Sequence, residues 1–178
     1  MDPGRLEIWR EDLRKAVASA LLDFEDRYGY PPDENVISEP DRIAATLIAA
    51  VRPVIPADLV DLYATVGAVD LPDIGNGFFL HSAFDVAHAH ESRDLWHVGG
   101  RHDADVVVFA SDGGGSQYAL ATPAGSPVYR LPPDLVLDGI YTSEDPRFDM
   151  AAPDLCAFLD RLLQAVKTFA ASSTPPSL

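Results

Sequence analysis

Val106-Val-Val-Phe-Ala110, Ser111-Asp-Gly-Gly-Gly-Ser116, Gln117-Tyr-Ala-Leu-Ala121 and, after a break, Pro127-Val-Tyr-Arg130 form the stretch whose reading decides the fold. Three short runs rich in β-branched and aromatic residues are separated by two turn signals, Asp112–Gly115 and Thr122–Gly125, which predicts an antiparallel meander. Val106 to Phe109 is continuously apolar, so this strand should be covered on both faces and lie near the centre of its sheet. Asp112, Gly113, Gly114 and Gly115 supply the positive φ values of a tight hairpin, and Asp112 can hydrogen-bond its own turn backbone. These four residues are read as a structural turn.

Outward from the meander, the pattern turns helical. Trp9, Leu13, Val17, Ala20, Leu21, Phe24 and Tyr28 recur at three- and four-residue steps, predicting one amphipathic helix over Leu6–Tyr28, stopped by Gly29 and Pro31-Pro32. Pro31–Glu39 reads as a polar connector. Ser38 is the candidate N-cap of a second helix, Pro40–Val51, with Ile43, Leu47, Ile48 and Val51 facing inward and Pro53 ending it. A third helix runs from Pro56 to a Gly67 cap, burying Leu59, Leu62, Tyr63 and Val66. Asp70–Gly77 reads as a turn-rich loop, Phe78–Leu80 as a short strand, and Ala83–Glu91 as a short helix capped by Ser82. Trp96–Val98 reads as an edge strand or an ordered loop.

Beyond the meander, Leu135–Tyr141 reads as a further strand and Phe148–Ala151 as a last short one. A C-terminal helix, Pro153–Ala171, carries the stripe Leu155, Phe158, Leu159, Leu162, Val166 and Phe169. Residues 172–178 read as a disordered Ser/Pro tail. Helices, then strands, then a closing helix define an α+β fold. An antiparallel sheet of about five to six strands is flanked by N-terminal helices and the C-terminal helix. Residues 1–171 form one domain, with 1–54 as its helical elaboration.

The 178 residues are 47% hydrophobic and 23% charged, with a mean hydropathy of +0.01, which is ordinary globular composition. Twenty-eight acids against thirteen Lys and Arg give a formal charge of −15. Such a surface repels nucleic acid and anionic lipid and attracts a basic protein. Cys156 is the single cysteine, so an intramolecular disulfide is impossible and a reducing, cytoplasmic compartment fits. No signal peptide and no window of membrane-spanning length is evident.

Three blocks occur in an order that resembles the SUKH (SMI1/KNR4) superfamily, covering roughly Ile55–Val166. They are Ile55-Pro-x-x-Leu-x-x-Leu-Tyr-x-x-x-Gly67, the strand–Asp112-Gly-Gly-Gly–strand unit with Gly125 and Val128-Tyr129 after it, and Ala152-x-x-Leu-x-x-Phe-Leu-x-x-Leu162. The resemblance implies an α+β protein without catalytic residues. For a bacterial member it implies an immunity protein that binds and neutralises a secreted toxin, often a nuclease; fungal members look like interaction and regulatory proteins.

The residues themselves leave an enzyme little to work with. His81, His88, His90, His97 and His102 fall in one segment beside several acids, which raises a metal-dependent enzyme as an alternative. Their spacing matches no zinc site, since His88 and His90 are two apart rather than four, so neither metal nor cofactor is expected. A pH-sensitive patch is a weaker reading of the same segment. Asp112–Gly115 lacks the Lys and the following helix of a phosphate loop, and no nucleophile elbow is present. The expectation is a non-catalytic binding protein that occludes a basic partner, with a toxin-free regulatory or scaffold protein as the other reading. Its candidate partner-binding residues are Asp70, Asp73, Glu91, Asp94, Asp103 and Asp105, with Trp96 as an anchor.

Overall fold

The structure is a computed structural model and describes residues 1–51 and 55–172. Among these residues there are six helices and ten strands, the strands mostly antiparallel, an α+β fold with helices at both ends of the chain. The helices are α1 (Pro3–Leu21), α2 (Phe24–Tyr28), α3 (Arg42–Ala50), α4 (Ala57–Thr65), α5 (Ala83–Ser92) and α6 (Leu155–Ser172). The strands are β1 (Val36–Ile37), β2 (Val69–Leu71), β3 (Phe78–Leu80), β4 (His97–Val98), β5 (Ala104–Asp112), β6 (Gln117–Ala121), β7 (Val128–Leu131), β8 (Val136–Leu137), β9 (Ile140–Tyr141) and β10 (Asp149–Ala152).

Strand β5 is the hub. One edge pairs with β6, which leads through β7 to β10. The other edge is shared. Its C-terminal part, Ala110–Asp112, pairs with β3, which continues to β2 and β1. Its N-terminal part, Ala104–Asp105, pairs with β4, which continues to β9 and β8. The sheet therefore forks at β5. A register shift at Val108–Ala110 lets Phe109 bulge out of the ladder with β6.

Both faces of β5 are covered, because alternate residues enter different cores. Val107, Phe109 and Ala110 join Tyr118, Leu120, Val128 and the helices in the larger cluster. Val106 joins Ala119, Ala121, Tyr129, Leu131, Tyr141 and Phe148 in a smaller one. On the helical side α1 lies along α6, and Trp9 Nε1 donates to the Leu159 carbonyl at 2.8 Å. All six residues of the α6 stripe are buried.

Several local expectations are corrected. The sheet has ten strands rather than five or six. Val36–Ile37 and Val69–Leu71, within or beside segments read as connector and loop, pair with each other as β1 and β2. The N-terminal helix is not continuous to Tyr28. It breaks after Leu21, where the Arg27 guanidinium takes the Ala20 carbonyl and Phe24 turns into a cluster with Tyr28 and Tyr30. The cap of α3 is Asp41, whose Oδ1 accepts from Ile43 and Ala44, because Ser38 is occupied extending the β1–β2 ladder to Ala68 and Gly67. The buried stripe of α3 is correspondingly rotated to Ala44, Ile48 and Val51, leaving Ile43 and Leu47 exposed.

Gly67 does not cap α4 in the left-handed region. It permits close approach, since a Cβ there would stand 2.4 Å from the Glu39 carbonyl oxygen. Trp96–Val98 is not at an edge, because β4 lies between β5 and β9. Leu135–Tyr141 is not one strand but a hairpin, β8–β9, around Asp138-Gly139 at φ 52° and 77°, the type I′ pattern. Pro53 and the tail beyond Ser172 lie outside the described residues.

Candidate functional site

Two of the candidate acids lie far from the others. Asp70 is exposed on β2, opposite Val36 and Phe79. Asp73 accepts from Asn35 Nδ2 at 2.6 Å, fastening the loop after β2 to the segment before β1. Strands β3 and β5 separate this end of the sheet from β4. Trp96, Asp103 and Asp105 gather at the other fork around His97, while Glu91 is exposed on the last turn of α5 and Asp94, just after α5, lines a cavity with His81 and Gln117.

There α5 ends at Arg93, whose backbone takes the left-handed conformation at φ 55°. The turn places its guanidinium 4.9 Å from the Trp96 ring centroid, a cation–π contact. Trp96 is half-buried and held from below. Its backbone N–H donates to Gly139 O at 2.9 Å and its indole N–H to Asp138 O at 3.3 Å. The next residue, His97, has ring nitrogens 2.8 Å from Asp105 Oδ1 and 3.1 Å from Asp103 Oδ1. The three side chains so form one polar network beside the indole, with both carboxylates facing water and His97 mostly shielded from it.

A feature that sequence reasoning missed adjoins this network. The β8–β9 hairpin presents Leu135, Val136, Leu137 and Ile140 to solvent. In the ladder Leu137 lies opposite Ile140, Ile140 beside His97, and His97 opposite Asp105. Directly paired residues share a face, so these four form a row across β8, β9, β4 and β5. The signal was Asp138-Gly139 between aliphatic residues, which is a two-residue hairpin sequence.

The Asp112–Gly115 turn lies at the opposite end of β5 and borders a cleft of about 220 Å³. Asp112 Oδ1 accepts from the N–H groups of Gly114 at 3.0 Å and Ser116 at 2.9 Å. Its Oδ2 accepts from Tyr118 Oη and Arg130 Nη2, both at 3.3 Å. Burial pushes the Tyr118 phenol well above its usual range, so it stays a donor. Arg147, at the cleft mouth, pairs with Asp145 at 2.7 Å. Asp112, Ser116, Tyr118 and Arg130 thus engage one another, and the rest of the wall comes from Asn76 and from apolar residues including Ile74, Phe78, Leu162 and Val166.

The histidines do not converge. His81 Nε2 is 2.9 Å from Ser111 Oγ, and burial holds its pKa below the ordinary value. His88 stacks on Phe84, His90 is buried, and His102 packs against Tyr129 and Phe148. Among the described residues no three His, Cys, Asp or Glu side chains are grouped to hold a metal ion. Burial raises the Cys156 thiol pKa, which makes it a poor nucleophile. No helix among the described residues is long and apolar enough to cross a membrane.

The fold defines the class of molecule as α+β, and this surface joins Arg93, Trp96, His97, Asp103 and Asp105 beside an exposed aliphatic hairpin. Comparison carries no further: no family model, no curated protein and no solved structure matches the chain.

Proposed function

We propose that this chain is a non-catalytic protein-binding domain that neutralises a basic partner by covering its working surface. The observation that carries the reading is the clamped Trp96, backed by the Gly139 and Asp138 carbonyls and bordered by the exposed carboxylates of Asp103 and Asp105. A partly exposed indole on a fixed backbone can add its remaining apolar area to an interface at little entropic cost. Carboxylates at its rim steer a cationic surface towards it. The formal charge of −15 extends that attraction over the whole molecule.

The resemblance to SUKH proteins supports a specific form of this reading, an immunity protein against a basic, nucleic-acid-cleaving toxin domain. A cytoplasmic location belongs to the same proposal, and the single cysteine fits a reducing compartment. The expected neighbour is a gene for a secreted multidomain protein with a variable C-terminal domain. Co-expression of that toxin domain with this chain should rescue growth and co-purify the two. Failure of both overturns the immunity reading in favour of a toxin-free regulatory or scaffold role.

A further inference from the structure

We infer that the β8–β9 hairpin is the apolar centre of the partner-binding surface. Its occupant is a protein face that carries aliphatic or aromatic side chains ringed by lysine and arginine. This inference rests on the binding reading above and assigns it a place on the molecule.

Leu135 is 72% and Leu137 68% exposed, with Val136 and Ile140 at 36% each. Single exposed aliphatic residues are ordinary on protein surfaces. Four within six residues, on the terminal hairpin of a sheet branch, are not.

The hairpin is also firmly held. Gly139 O accepts from both Trp96 N and His97 N, and Tyr141 O accepts from Gly99 N at 2.9 Å. Tyr141 is buried and donates its hydroxyl to Pro132 O at 2.7 Å. The aliphatic side chains therefore stand on a fixed support, and little ordering entropy opposes their burial by a partner.

Charge selects the occupant. Asp134 and Asp138 flank the aliphatic residues in sequence, and the row through Ile140 and His97 ends at Asp105. A two-fold pairing of hairpins from two copies would bring these acids face to face, on molecules already carrying −15 each. Nucleic acid is repelled by the same field. A basic protein surface with an apolar centre satisfies both parts.

The probe is the toxin domain proposed above as the partner, inactivated at its own active site, and the full chain is used throughout. Leu137→Ser with Ile140→Thr changes exposed positions, and circular dichroism checks that the fold persists. The double variant should bind the toxin domain at least about 30-fold more weakly, while Leu22→Ser, an exposed leucine at the end of α1, should bind as the parent does. Amide exchange in residues 135–141 should slow in the complex. Undiminished binding by a folded double variant, with protection elsewhere, overturns the hairpin assignment and leaves the binding reading standing. Absence of binding by the parent chain overturns both. A concentration-dependent dimer of the parent, abolished in the double variant, would give the hairpin to a second copy and overturn the basic occupant.

Discussion

Asp112 Oδ2 stands 3.3 Å from Arg130 Nη2, so the carboxylate that shapes the β5–β6 turn also holds a guanidinium two strands away on β7. Both side chains are largely shielded, and Ser116 Oγ accepts from the same guanidinium at 3.2 Å. The turn is thereby tied to the sheet, and its hydrogen-bonding capacity is spent on architecture. Asp112→Ala removes the acceptor for two backbone N–H groups, a phenol and a guanidinium together. It should cost about 2–4 kcal/mol in urea unfolding. Asp112→Asn keeps one acceptor oxygen and should lose less. An alanine variant as stable as the parent would show that the network contributes nothing.

Gly113 and Gly114 are neighbours with different constraints. A Cβ on Gly113 would stand 1.6 Å from the Asn76 carbonyl oxygen, a backbone atom, whereas one on Gly114 would meet the Asp112 carboxylate at 3.2 Å. Gly113→Ala should therefore cost about 3 kcal/mol and Gly114→Ala about 1 kcal/mol or less. Equal losses in paired denaturation curves would contradict this packing of the turn against the β2–β3 loop.

His81 links stability to pH with a definite sign. Burial lowers its folded pKa below 6.5, the ordinary value, so between the two the unfolded chain binds more protons than the native one. Stability then rises with pH across that window and is lost as pH falls below about 6.5. His81→Gln can still hydrogen-bond Ser111 but does not titrate. Its urea midpoint should decline less than that of the parent between pH 7 and 5.5. The Asp145 carboxyl, held at about 2 by hydrogen bonds from Arg147, titrates well below this range. Parallel declines for parent and variant would remove His81 as the cause.

Gly139 supports Trp96 by having no side chain. Its φ is +77°, and a Cβ there would stand 2.4 Å from Trp96 Cδ1 and 2.5 Å from Arg93 O. Gly139→Ala should displace the indole and loosen the branch formed by β4, β9 and β8. Amide exchange at Trp96 and Gly99, which donate to Gly139 and Tyr141, should accelerate, while exchange in β5 and β6 stays slow. Acceleration spread evenly over all these strands would mean that the branch is not a separate unit of stability.

Strong periodicity and turn chemistry made much of the fold legible. The run Val106–Phe109, the glycine turn and the α6 stripe each predicted a structural element, because a continuous apolar run records burial on both faces, clustered glycines record a tight turn, and a 3.6-residue repeat records which helix face is buried. Strands β1 and β2, of two and three residues, were not legible. Val36–Ile37 and Val69–Leu71 hold together through pairing with distant partners, and so short a run carries no period. The stripe of α3 was misplaced because alanine at position 44 was not counted as a core residue, although its small size suits close helix packing. The candidate surface was half legible. Acids and Trp96 could be named from composition, but their division into two groups depends on β5 pairing β3 at one end and β4 at the other. The aliphatic hairpin was hidden by reading Leu135–Tyr141 as one strand across its Asp-Gly turn.

The central claim is that this acidic face captures a basic protein by charge and surface complementarity. The association rate of the toxin domain proposed as its partner, measured by stopped flow from about 25 to 300 mM NaCl, tests it most directly. The account predicts a fall of at least about tenfold in that rate with little change in dissociation, and a weaker salt dependence for Asp103→Asn with Asp105→Asn. An association rate indifferent to salt, or unaffected by removal of those two charges, would contradict it.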